Sequence, residues 1–180
     1  MLVVDTGSSW MWVSGDECAD TDDCEDPSAF HYLLSDSYTP TKDTKKIVYG
    51  DGETAGLIVS DTVTAAASED LKLEDFSFIK VDSDYDFYGK GMISGIMGLS
   101  PNDDSAGPLF VYHLYTQGKI KKQQFSILIN HDFNKQSELT FGGVPRDWDL
   151  DGAVSHRVSG SFHWQMRLYD FKIGNDRVEL

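Results

Sequence analysis

An acidic side chain set between a β-branched apolar run and a cluster of small hydroxyl residues is the first place where this chain could do chemistry. The stretch is Val3-Val4-Asp5-Thr6-Gly7-Ser8-Ser9-Trp10-Met11-Trp12-Val13. Strand-forming residues lead in, Gly7 permits a sharp turn, and strand-forming residues lead out. Asp5 is thereby placed at a strand end, beside several short hydrogen-bond donors. General acid–base work by a carboxylate usually calls for a second carboxylate of different pKa. Taken alone, an Asp at a turn reads as an Asx-turn or cap residue.

Other chemistries fail on residue type or spacing. Asp82-x-Asp84-x-Asp86 opens like a calcium loop, but Phe87 stands where the sharp turn requires Gly and Ile93 where a bidentate Glu belongs. Asp16-x-Cys18-x-Asp20 fails sooner. His31, His113, His131, His156 and His163 show no paired spacing that would hold zinc. Gly98-Leu99-Ser100-Pro101-Asn102 lacks the closing Gly of a serine-hydrolase elbow, and no phosphate-cradling glycine loop occurs. No metal and no cofactor is expected.

The frame around Asp5 consists of short β-rich runs punctuated by turn residues. They include Lys46–Tyr49, Leu57–Val59, Thr62–Thr64, Phe76–Ile79, Phe125–Ile129 and Glu138–Phe141, with Gly50, Gly52, Gly56, Gly142, Gly143 and Pro145 between or beside them. Such spacing predicts an all-β domain of sandwich or barrel type. One helix is expected over about Pro108–Gly118, apolar at Leu109, Phe110, Tyr112 and Leu114 and ended by glycine. The acidic clusters Asp20–Asp26 and Asp82–Asp86 read as loops. His163–Leu168 through Phe171–Asn175 reads as another strand–turn signal.

At 180 residues the chain fits one ordinary domain with a sizeable core. A net charge of −15 argues against nucleic acid and anionic membrane surfaces as partners, since both need a basic face. No apolar run approaches the roughly 18 residues of a membrane span. Cys18 and Cys24 flank a polar, acidic segment. They would be free thiols in a reducing cytosol and could close a short loop in an oxidising compartment; nearby carboxylates disfavour a thiolate nucleophile.

Val4–Val13 closely resembles the first active-site segment of pepsin-like aspartic proteases, D-T-G-S-S-x-x-W-V, at every fixed position. The resemblance continues in order along nearly the whole chain. Cys18 and Cys24 fall where that family places a small disulfide loop. Ile47–Gly56 looks like its flap hairpin, followed by Ser60-Asp61-Thr62-Val63. Ser94–Ser100 resembles the hydrophobic–hydrophobic–Gly segment beside the catalytic loop, and Phe141-Gly142-Gly143 and Trp164-Gln165-Met166 match later landmarks. The resemblance implies a pepsin-like lobe in which Asp5 is one half of a catalytic pair. Two close carboxylates share one proton because both cannot cheaply ionise. Thr6 and Gly7 would shape the loop and Ser8 would donate to the Asp5 carboxylate. Tyr49, Gly50 and Asp51 would form the flap tip over a polypeptide substrate, anchored by the Trp12 ring N–H on the Tyr49 hydroxyl. Trp10 is bulkier than the residue often found there and Ser94 replaces a common acid; these departures bear on subsites and local stability, not on the proton chemistry.

A second D-[TS]-G is needed and none occurs: Asp43-Thr44 and Asp61-Thr62 are followed by Lys and Val. The expected organisation is therefore a catalytic lobe over 1–150, short of its first strands, and over 151–180 inter-lobe strands opening a truncated C-terminal lobe of the same chain. Three readings follow. The chain is the N-terminal lobe of an aspartic endopeptidase, or a catalytically inactive peptide-binding module, or a protease in which two copies each supply one Asp5. Disulfide and resemblance together favour a secretory, lysosomal, vacuolar or extracellular address.

Overall fold

The computed structural model describes residues 2–16, 29–50, 52–65, 68–85, 93–101, 107–132, 134–174 and 176–178. The expected sites Cys18, Cys24 and Asp51 lie outside the described residues. The main element is a six-stranded mixed sheet of β1 (Val3–Asp5), β2 (Trp12–Ser14), β3 (Thr39–Tyr49), β4 (Gly52–Thr64), β5 (Lys72–Tyr85) and β6 (Gly95–Gly98), in the spatial order β1-β6-β2-β5-β4-β3. Two small hairpins accompany it, β7 (Phe125–Leu128) with β8 (Glu138–Phe141) and β9 (Phe171–Ile173) with β10 (Asp176–Val178). The lobe is all-β in class, as expected, but its described sheet is open and forms no closed barrel.

The chain's β-branched runs make longer strands than their separate lengths suggest. Leu57–Val59 and Thr62–Thr64 join in the single 13-residue β4. Ser83–Tyr85, within the Asp82–Asp86 cluster read as loop, continue β5 because their backbones pair with Glu53–Ala55 on β4. Backbone pairing there overrides the low strand propensity of Asp. On β5 the even residues Phe76 and Phe78 enter one core with Val59, Leu99, Phe110 and Leu114, while the odd residues Ile79 and Val81 enter another with Trp12 and Ile96. Leu73 breaks that parity and still reaches the first core. The reason is an irregularity at Asp75, whose φ of +50° coincides with a register shift opposite Asp61–Val63. An extra residue in one strand flips all later side chains to the other face.

The helix α1 runs over Phe110–Thr116, inside the expected span. Leu109 precedes it and Gly118, at φ +71°, follows it; the Gly118 N–H donates to the Tyr115 carbonyl at 3.0 Å and the Lys119 N–H to that of Leu114 at 2.8 Å. Left-handed glycine just past the last turn is how many helices satisfy their final carbonyls. Phe110, Val111 and Leu114 are buried, and Phe110 meets Phe76 edge-on at 5.7 Å.

The strand expected over His163–Leu168 does not form. Leu168 and Met166 stay 61% and 59% exposed, so the alternating pattern has no sheet edge to join among the described residues. Only Phe171–Ile173 of that signal pairs, as β9.

Candidate active site

Three short strands place Asp5. β6 lies between β1 and β2, parallel to β1 and antiparallel to β2, so the connection from Thr6 to Met11 must cross the end of β6. The chain after β6 grips that connection. The Leu99 N–H donates to the Asp5 carbonyl at 2.7 Å, the Ser100 N–H to the Ser8 carbonyl at 3.0 Å, and the hydroxyls of Ser9 and Ser100 lie 3.1 Å apart. Gly98 sits so close that a Cβ there would stand 2.5 Å from the Ser9 carbonyl carbon and 2.7 Å from the Ser8 oxygen. Glycine at this position is what allows the two backbones to touch.

The Asp5 carboxylate is partly exposed, and the Gly7 N–H donates to its Oδ1 at 2.8 Å. This is the Asx-turn geometry that an Asp before a glycine turn favours. It fixes one oxygen and leaves Oδ2 without a hydrogen bond among the described residues. Thr6 and Gly7 are exposed at the turn. Ser8 requires a correction: it does not donate to Asp5. Its Oγ is buried and makes no hydrogen bond to the Asp5 carboxylate.

Tyr49 ends β3 and Gly50 follows it in the turn to β4. The fully buried Trp12 donates from Nε1 to the Tyr49 hydroxyl at 3.0 Å. Burial raises the Tyr49 pKa and outweighs the opposing Trp12 and Ser8 side chains, and the nearby Asp5 charge adds a smaller rise. The folded protein thus keeps this phenol proton where the unfolded chain, with its ordinary value near 10, releases it. Stability from this group is full below about pH 10 and falls as pH climbs through the raised value. Tyr49→Phe is expected to abolish that alkaline decline, cost about 1 kcal/mol at neutral pH, and speed amide exchange at Ile47–Tyr49. Unchanged exchange would show that Trp12 does not anchor the hairpin.

Sequence reasoning missed two contributors. Lys45 places its ammonium over the Trp10 ring, 5.6 Å from the centroid, and Gly107 backs the same indole closely enough that a Cβ would stand 2.3 Å from Nε1. The period-two series Lys45, Ile47, Tyr49 was the available signal, since alternate strand residues share a face. Trp164, noted only as a landmark, donates from Nε1 to the Leu99 carbonyl at 2.8 Å and stacks edge-on with Phe125 at 5.7 Å. A cleft of about 540 Å³ opens there, lined by Thr6, Leu99, Leu109, Tyr112, Phe125 and Trp164 among others. Among the described residues no group of three His, Cys, Asp or Glu side chains could hold a metal ion, and no helix is long and apolar enough to cross a membrane.

Comparison with known proteins adds an independent line. The family model described as eukaryotic aspartyl protease matches residues 1–179. Procardosin-A of Cynara cardunculus is 28% identical over 177 residues, covering 97% of this chain and 34% of the relative. Pepsin A of Gallus gallus is 28% identical over 179 residues, covering 98% and 48%. A probable aspartic-type endopeptidase CTSD of Arthroderma otae is 29% identical over 172 residues, covering 93% and 44%. The chain therefore spans between about a third and a half of the length of these curated relatives.

Proposed function

The chain belongs to the eukaryotic aspartyl protease family, and from that membership we propose that it is the N-terminal lobe of an aspartic endopeptidase in which Asp5 is one of two catalytic carboxylates. The partner carboxylate comes from the remainder of a longer polypeptide, a reading supported by the chain's covering only 34% to 48% of its relatives. Residues 1–150 make the lobe, and 151–180 lead toward its counterpart. The carrying observation is a carboxylate fixed through one oxygen, on a loop clamped to β6, close to a hairpin whose Tyr49 is tied to Trp12.

The chemistry follows from two carboxylates sharing one proton, which titrate as a pair. The ionised member takes a proton from a water whose oxygen attacks the peptide carbonyl. The protonated member polarises that carbonyl, and the amine leaves with a proton returned to it. Thr6, Gly7 and Ser8 form the loop that presents Asp5. Tyr49 and Gly50 belong to a flap that closes over extended polypeptide and excludes water, and Asp51 is assigned to it by family resemblance alone. Family membership favours a secretory, lysosomal, vacuolar or extracellular address.

Assayed at acid pH, the polypeptide as its gene encodes it is expected to cleave denatured protein. The 180-residue chain, shown to be monomeric by sedimentation, is expected to cleave nothing. Activity that depends on Asp5 in that monomer would overturn the two-lobe reading.

A further inference from the structure

Two adjacent lysines on β3 have opposite surroundings. Lys46 points outward and its ammonium pairs with Glu53 across the hairpin at 2.7 Å. Lys45 points the other way, on the face that carries Ile47 and Tyr49 toward Trp12 and Trp10. It is half-buried, lies over an indole, and has no carboxylate partner among the described residues. The more deeply buried Lys80 makes the contrast sharper, for its ammonium holds Asp82 at 2.6 Å. In a chain carrying 30 acidic against 15 basic residues, an inward cation with no acid beside it among the described residues is poorly explained by fold stability. An indole face compensates an ammonium only weakly compared with a carboxylate.

Position supplies the rest. Lys45 and Tyr49 share one strand face, and Tyr49 is near enough to Asp5 to feel its charge. Four strand residues span roughly 13 Å, which matches about three to four residues of an extended peptide lying along the same hairpin. Trp10, wedged between Lys45 and Gly107, fixes where the ammonium can sit.

We infer that Lys45 is a specificity-determining residue that recognises an acidic side chain of the bound polypeptide, about three to four residues from the scissile bond. The inference rests on the endopeptidase reading and adds the substrate's charge to it. A carboxylate arriving there gives the Lys45 ammonium an ion pair that no described residue provides, and the surrounding negative charge of the protein penalises acidic residues elsewhere along the cleft.

The test uses the polypeptide as its gene encodes it and one peptide scaffold with a single Glu, or Gln as control, moved through each position within about five residues of the cleavage point. At about pH 5.5, one position is expected to prefer Glu over Gln by roughly threefold to tenfold in kcat/KM. Lys45→Gln should bring that ratio to about one, and Lys45→Arg should keep it. The preference should shrink with added salt and vanish as pH drops through the usual Glu value of about 4.3. Binding of the same peptides to the Asp5→Asn variant separates the two readings. Cleavage with no Lys45-dependent Glu preference overturns this inference alone. A Lys45-dependent Glu preference in binding, without cleavage by the unaltered protein, sustains it while removing the hydrolase reading. Neither binding nor cleavage overturns both.

Discussion

Asp5→Asn, introduced into the polypeptide as its gene encodes it, is expected to lower kcat by about a thousandfold or more. The amide cannot take a proton from water and cannot share one with a second carboxylate, so the base is lost outright. The fold should survive. Asn retains an Oδ1 that can accept from the Gly7 N–H, now 2.8 Å from the Asp5 oxygen, and Asp5 is partly exposed, so no buried group is orphaned. The melting temperature should therefore stay within about 2 °C of the parent. Asp5→Ala makes a useful companion, because it loses the same chemistry and the Gly7 hydrogen bond as well. Hydrolysis retained within tenfold in Asp5→Asn would remove Asp5 from the reaction.

Gly98→Ala should be the most damaging change outside the carboxylate itself. The new methyl has no flexible side chain to displace. It meets the carbonyl carbon of Ser9 at 2.5 Å and the oxygens of Ser8 and Ser9 at 2.7 Å, all main-chain atoms of the loop that carries Asp5. Either that loop lifts or β6 retreats, and both movements strain the Leu99–Asp5 and Ser100–Ser8 hydrogen bonds. Overpacking of this kind costs about 1–3 kcal/mol. The larger effect falls on catalysis, where a shift of about 1 Å in a reacting group can cost on the order of a hundredfold. Measured well below the melting temperature, kcat should drop by about that factor. Gly143→Ala is the matched control, since a Cβ at Gly143 meets nothing within 4 Å. Equal activity losses in the two variants would mean that the contact at Gly98 does not position Asp5.

Much of the site could be read from residue order. The strand–turn–strand pattern around Asp5, the paired turn glycines after Tyr49 and the second apolar segment ending at Gly98 are local signals. Local backbone preference largely decides them. Failures came where a long-range pairing or contact had the final word. Ser83–Tyr85 extends β5 because β4 is there to pair with it, while His163–Leu168 has strand composition but no described edge to join. Ser8 carries the right hydroxyl for Asp5, yet packing buries that hydroxyl without a hydrogen bond to the carboxylate.

Residue order alone specifies the chemistry on offer, one carboxylate on a glycine turn with an all-β frame around it, because turn and strand preferences act over a few neighbouring residues. Which groups meet that carboxylate is settled by the folded arrangement. The threading of β6 between β1 and β2 brings residues 98–100 onto the loop of residues 5–9, and the inward face of β3 brings Tyr49 to Trp12 and Lys45 to Trp10. Contacts between residues some 35 to 95 positions apart depend on sheet order and register, which no local propensity encodes.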